Sequence, residues 1–183
     1  IIDYDTAGIA MHAALTGHLV FSTLHTNDAV GAIPRLIDLG IKPPVVSPAI
    51  NLIIAQRLLR RICQKCAKKR LITAEELQNF KKILNNLPPR VKLQKELNEK
   101  TQISEPRGCK DCHNGYSGRA AVLELFEVND EMEDLILNSP TETQIKTAAR
   151  KAGFVTMMQD AVIKTINGVT TIEEAERTLG VIN

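Results

Sequence analysis

The chain has 183 residues, of which 44% are hydrophobic, 24% charged and only 3% aromatic, with no tryptophan and a net charge of +2. That is room for one ordinary domain, or one domain carrying a small insertion, around an aliphatic core. No apolar run approaches the roughly 20 residues of a membrane span, and the opening Ile1-Ile2-Asp3 reads as neither a secretory signal, a start nor a linker, so a piece of a longer protein is expected.

In chain order, residues 5–16 have helical composition and Gly17 is placed to end that helix. His18–Leu24 is an apolar run without alternation, which predicts a short strand buried on both faces of a parallel sheet. Asn27 or Asp28 can cap the next helix, which runs to Asp38 or Leu39 before Gly40; Pro34 inside it predicts a kink or a late start. Lys42-Pro43-Pro44 predicts a rigid connector. Ser47-Pro48 predicts an N-cap with proline at the first helical position, opening an apolar helix through Ile50, Leu52, Ile53, Ile54 and Leu58 towards Cys63. Helix, buried strand and helix in succession belong to an α/β layered domain.

Beyond Cys63 the chain turns polar and helical. Thr73 and Glu76 form a capping box for a helix of about three turns, broken by Asn85-Asn86-Leu87-Pro88-Pro89. Arg119–Phe126 predicts a strand returning to the core. The tail is helical throughout: Asn129/Asp130 to Leu137, Ser139-Pro140 to Lys151, Thr156 to Asn167, and Thr171-x-x-Glu174 to Leu179. There is no internal repeat and no low-complexity stretch.

The four cysteines form two Cys-x-x-Cys pairs, Cys63/Cys66 and Cys109/Cys112. Two residues between cysteines let both sulfurs of a pair converge on one metal, so the pairs can supply four thiolates to a tetrahedral zinc ion. Two disulfides or four unrelated thiols are the alternatives. Gly115, three residues after Cys112, lets the backbone fold over the sulfurs and offer N–H groups to them. The 42 residues between the pairs exceed the loop of common zinc ribbons, which points to a small subdomain pinned by metal, and zinc-like spacing favours a reducing cytoplasm.

Residues 57–119 hold 16 Lys/Arg against 6 Asp/Glu, whereas residues 120–183 hold 5 against 11. A basic zinc module invites a nucleic-acid reading. With only Phe80 and the adjacent Tyr116 to stack on bases, an anionic nucleotide, an acidic partner, a lipid headgroup surface or a merely solvated basic face fits as well.

Thr16–Ala29 (TGHLVFSTLHTNDA) places His18 and His25 at the two ends of the predicted strand. In an open parallel sheet, ligands sit beyond the C-terminal strand ends, the edge expected to carry Thr23, His25, Thr26 and Asn27. A polar residue there can touch the terminal phosphate of a bound nucleotide, and an imidazole can register its loss. Two histidines that only satisfy backbone groups at strand ends are the plain alternative.

That segment strongly resembles the His box of the secretion ATPases that drive type II secretion and type IV pilus assembly, the GspE/PilB-type family. Asp3–Ala7 resembles the end of the family's Walker B region, Ala55–Cys63 and Gly108–Arg119 resemble the flanks of its tetracysteine motif, and Gly168–Ala175 resembles its C-terminal helical signature. The resemblance implies an α/β, RecA-like P-loop ATPase domain with an inserted four-cysteine zinc module and a C-terminal helical subdomain. Its divisions would be 1–62 as part of the ATPase core, 63–114 as the zinc insertion, and 115–183 as the returning strand and helical subdomain. It further implies ATP hydrolysis with Mg2+ in a homohexamer, cytoplasmic and peripheral to the inner membrane, working on an inner-membrane platform protein and other components of the machine. Nucleic acid is not among the partners it implies. His25 would contact the γ-phosphate, His18 would support the strand, Thr23, Thr26 and Asn27 would line the nucleotide, and Cys63, Cys66, Cys109 and Cys112 would bind zinc. The chain departs from the family in having no Gly-x-x-x-x-Gly-Lys-Ser/Thr phosphate loop, in Ile2 where the pattern has arginine, and in Asp5 where it has glutamate. A stand-alone zinc-binding interaction or nucleic-acid-binding module without catalysis is the competing reading.

Overall fold

The computed structural model describes residues 3–94 and 96–180. Its elements are helices α1 (Tyr4–Leu15), α2 (Ala32–Asp38) and α3 (Pro43–Ala49), strands β1 (Leu52–Ile62) and β2 (Lys68–Leu71), helix α4 (Ala74–Leu84), strands β3 (Gln102–Glu105) and β4 (Tyr116–Glu127), and helices α5 (Asp130–Leu137), α6 (Glu142–Lys151), α7 (Met157–Ile166) and α8 (Ile172–Leu179). β1 pairs with β4, and β2 with β3 antiparallel, Lys68 opposite Glu105 and Leu71 opposite Gln102. This is a mixed α/β chain, as the element pattern predicts. It divides into two compact units, each assembled from separated stretches of sequence: residues 1–55 with 124–154, and residues 56–123 with 155–183.

In the first unit, Asp3 caps α1 by accepting the Thr6 N–H at 2.8 Å, and Gly17 leaves the helix at φ +87°. Met11 of α1, Ile33 of α2, Val46 of α3, Ile136 of α5 and Ile145 of α6 meet in one aliphatic core. Phe126 of β4 and Phe154 close it with an edge-on ring contact, centroids 5.9 Å apart. Two sequence expectations fail here. The Ser47-Pro48 helix does not form: Pro43 and Pro44 instead occupy the first turn of α3, where a missing N–H costs nothing, and the chain from Leu52 is strand. β-branched and aliphatic residues between Leu52 and Leu59 pack as a ladder against β4, and cross-strand pairing overrides the helical reading of an apolar run. Nor is His18–Leu24 a buried strand. Residues 18–26 form no regular structure, and Leu19 and Phe21 are 82% and 89% exposed. A ladder needs a neighbour, and among the described residues no strand pairs with this run. The helix after it starts late, as Pro34 suggests, because Asp28 first closes a turn on Gly31.

In the second unit, α4 packs on α7, and α7 on both β3 and α8. Phe80, fully buried, and Leu59, Ile62, Val162 and Ile166 fill its core. The capping box is complete: Glu76 N–H donates to Thr73 Oγ1, and Thr73 N–H donates to Glu76 Oε2. The same Glu76 carboxylate pairs with Arg70, which holds its pKa down to about 2. The small β2–β3 sheet was not legible as strand. Its residues, Lys68–Leu71 and Gln102–Glu105, are short and mostly polar, and pair across 30 intervening residues. In the tail, α6 is capped by Thr141 with Gln144 rather than by Ser139, while α7 starts at its predicted Thr156 cap.

Thr171 caps α8 by accepting the Glu174 N–H, but Glu174 does not reach back to complete a capping box. Its carboxylate is fully buried and accepts from the backbone N–H, Nε and Nη2 of Arg60 at 2.7–2.9 Å and from Nε and Nη2 of Arg177 at 2.8 and 2.6 Å. Burial opposes its ionisation, yet the two guanidinium groups hold its pKa down to about 2. Arg60 also lies 4.3 Å above the Tyr116 ring, whose hydroxyl is 2.9 Å from that of Thr171.

Candidate metal centre and histidine segment

Two tight turns build the cysteine cluster, one following β1 and one preceding β4. In the first, Cys66 N–H and Ala67 N–H donate back to the Cys63 carbonyl, while in the second Cys112 N–H donates to that of Cys109. Cys63 N–H reaches the Gly115 carbonyl at 2.8 Å and so holds the two turns together. Lys65 and Asp111 pair between the turns at 2.8 Å on the surface. Gly115 has φ +85°, and a Cβ there would lie 2.5 Å from Pro106 Cβ and 2.9 Å from Pro106 Cα, so no side chain fits. Its N–H hydrogen-bonds the Cys112 sulfur, as expected of a backbone folded over the cluster.

All four Sγ atoms lie within 4.8 Å of one another, the one such metal-competent group among the described residues. Cys63–Cys109, Cys66–Cys112 and Cys109–Cys112 are separated by 3.9, 3.7 and 3.6 Å. Four thiolates at a zinc–sulfur distance of ~2.3 Å in a tetrahedron would be about 3.8 Å apart. These separations are too long for the ~2.0 Å bond of a disulfide, and all four thiols are free. The cluster could therefore hold a metal ion.

Burial pushes the Cys112 thiol up, but N–H groups of Cys109 and Gly115 and the neighbouring thiol of Cys109 more than offset it, leaving it at about 7. The Asp111 N–H favours the Cys109 thiolate, yet the Cys112 sulfur and burial outweigh it and push Cys109 up to about 12; burial also raises Cys66. Thiols this close resist ionising together without a cation, and a divalent metal supplies the charge that lets all four do so.

The histidine segment lies in the first unit. His18 is exposed, its Nδ1 3.0 Å from Thr16 Oγ1. His25, Thr23 and Asn27 are exposed and Thr26 half-buried, on an irregular stretch rather than the tip of a buried strand. The stretch ends in a closely bonded turn. Thr26 Oγ1 donates to the Asp28 carbonyl at 2.8 Å, Gly31 N–H donates to Asp28 Oδ1 at 2.9 Å, and Ala29 N–H donates to Glu124 Oε1 at 2.6 Å. Sequence reasoning missed Glu124 and Glu174. The signal for Glu124 was an acid at an inward register position of the 119–126 strand. Glu174 gave none, because its spacing from Thr171 satisfied a capping box. Asp3 serves as the cap of α1, and Ile2 lies outside the described residues.

The family model for the Type II/IV secretion system protein matches residues 1–177. The type IV pilus assembly ATPase PilB of Myxococcus xanthus is 39% identical over 175 residues, covering 95% of this chain and 29% of the relative. The PilB of Thermus thermophilus is likewise 39% identical over 175 residues, 95% of this chain and 18% of its own length. The type II secretion system protein E of Xanthomonas campestris is 38% identical over 175 residues, 96% of this chain and 29% of its own. The chain belongs to the type II/IV secretion system protein family, and it spans between about a fifth and a third of the length of these curated relatives. Among the described residues, no helix is long and apolar enough to cross a membrane.

Proposed function

We propose that the chain is the C-terminal part of a hexameric, RecA-like P-loop ATPase that hydrolyses ATP with Mg2+ to power type IV pilus assembly or type II protein secretion. The match of residues 1–177 to the family, His18–Asn27 included, carries this reading. The protein would work in the cytoplasm at the inner membrane, against a platform protein of the machine. Residues 1–62 belong to the ATPase core and 115–183 to the returning strand and helical subdomain.

Residues 63–114 form the inserted zinc module, with Cys63, Cys66, Cys109 and Cys112 as ligands. The sulfur spacing supports zinc, and four thiolates leave no coordination position for a reacting water, so the metal's contribution is structural. His25, exposed and directly preceding a bonded turn, contacts the γ-phosphate; Thr23, Thr26 and Asn27 lie beside it as nucleotide contacts, and His18 supports the segment from its other end.

Hydrolysis by the full-length, assembled protein tests the assignment. His25→Ala removes a polar or charge-assisted contact worth roughly 1.5–3 kcal/mol, which corresponds to about a 10- to 100-fold loss of rate if the contact strengthens in the transition state. Its melting temperature should hold, because the side chain is exposed. His18→Ala should act less on rate. Wild-type turnover by His25→Ala would refute the phosphate contact.

A further inference from the structure

We infer that Glu124 is a positioning residue that holds the turn directly following His25, an inference that rests on the phosphate-contacting role proposed for that histidine. Along β4 and just beyond it, Val122, Glu124, Phe126 and Val128 are buried while Leu125 and Glu127 are exposed. Glu124 thus occupies an inward register position that its neighbours fill with apolar side chains, and it is only 4% exposed. A carboxylate so placed is costly unless hydrogen bonds replace its water. Its Oε1 takes the N–H of Ala29 at 2.6 Å, across 95 residues of sequence. Ala29 is itself 1% exposed, so its amide cannot turn to solvent for an acceptor.

Two of the turn's bonds are local: the Thr26 hydroxyl to the Asp28 carbonyl and the Gly31 N–H to Asp28 Oδ1 set its shape. Val30 and Ile33 sink into the core just beyond and hold its far side by packing. The Glu124 bond adds a directional, long-range tie: it fixes one peptide, four residues from His25, to a strand. Residues 18–26 have no ladder of their own. The turn that follows His25 therefore helps set its position, and Glu124 acts on turnover through His25 without touching nucleotide.

The test uses the full-length protein, with hydrogen exchange over residues 24–33 read beside steady-state ATP hydrolysis. Glu124→Leu removes the acceptor, Glu124→Asp keeps the charge but withdraws it by one methylene, and Glu124→Gln keeps an oxygen in place. Glu124→Leu and Glu124→Asp are expected to speed exchange at 26–31 and to lower kcat roughly tenfold or more with KM within about twofold. Glu124→Gln, which keeps an oxygen facing the Ala29 N–H, should exchange more slowly at 26–31 and turn over faster than either of the other two. Adding Glu124→Asp to His25→Ala should cost little beyond His25→Ala alone, because both act through one side chain. Should Glu124→Leu fail to fold, the Asp and Gln variants carry the comparison. Unchanged exchange in Glu124→Asp would overturn the inference, as would a loss of kcat equally large with and without His25. A neutral His25→Ala would instead sink the histidine's role, with exchange still judging the anchor.

Discussion

Replacing Glu174 by glutamine keeps the shape of a fully buried side chain and removes its charge. One oxygen of the amide can still accept from Arg60 or Arg177, but the NH2 group then faces a donor of the other guanidinium, and the five bonds the carboxylate accepts cannot all be remade. The pKa is held down from 4.5 to about 2. At about 1.4 kcal/mol per unit that depression corresponds to roughly 3 kcal/mol of stability. Arg60 and Arg177 are 40% and 57% exposed, and solvent screening on their side lowers the realised value, so about 2–3 kcal/mol is expected. In a chain of this size that should lower the melting temperature by roughly 5–10 °C. The pH dependence has a definite sign. A carboxylate with a depressed folded pKa stabilises fully above its unfolded value and loses that contribution as pH falls through the folded one. The gap between wild type and Glu174→Gln should therefore be full above about pH 5 and close between about 4.5 and 2. Denaturant melts of both proteins at matched pH measure it; Glu76 and the four thiols are common to both and cancel in the difference. A gap under about 0.5 kcal/mol at pH 7, or one that does not shrink in acid, would refute the reasoning.

Metal analysis should find one zinc per chain, and Cys109→Ser should lose it, with exchange rising at 63–67 and 106–115 and the core of the first unit intact; an ordered, metal-free cluster under reducing conditions would contradict the zinc assignment. Structural zinc is worth roughly 10–16 kcal/mol in small modules, enough for its loss to melt those turns. Gly115→Ala should release the metal nearly as effectively, because its φ of +85° and a 2.5 Å clash with Pro106 both oppose a side chain, and a chelator titration at fixed pH reads the weakened affinity. The 183 residues by themselves should bind ATP weakly, since they contain no loop of backbone N–H groups and lysine to grip the β- and γ-phosphates, and calorimetry showing tight Mg2+-dependent binding would count against this.

Features specified by neighbours in sequence were legible before any fold was known. The end of α1 at Gly17, the Thr73–Glu76 capping box, the Thr156 cap and the strand leading to Phe126 all depend on contacts within a turn or on one period of alternation. Cys-x-x-Cys spacing likewise sets each half of the metal cluster locally, and the order of motifs was enough to reach the family. Several choices that hang on a distant partner failed. Residues 52–58 are as apolar as a buried helix, and only pairing with β4 makes them a strand; residues 18–24 are as apolar as a buried strand, and no described strand pairs with them. Glu174 satisfies a local capping rule and abandons it for two arginines, one of them 114 residues away. Local geometry selects among turns and caps at costs of about 1 kcal/mol each. Burying a carboxylate or closing a ladder involves several times that energy, so contacts that exist only in three dimensions override the local preference.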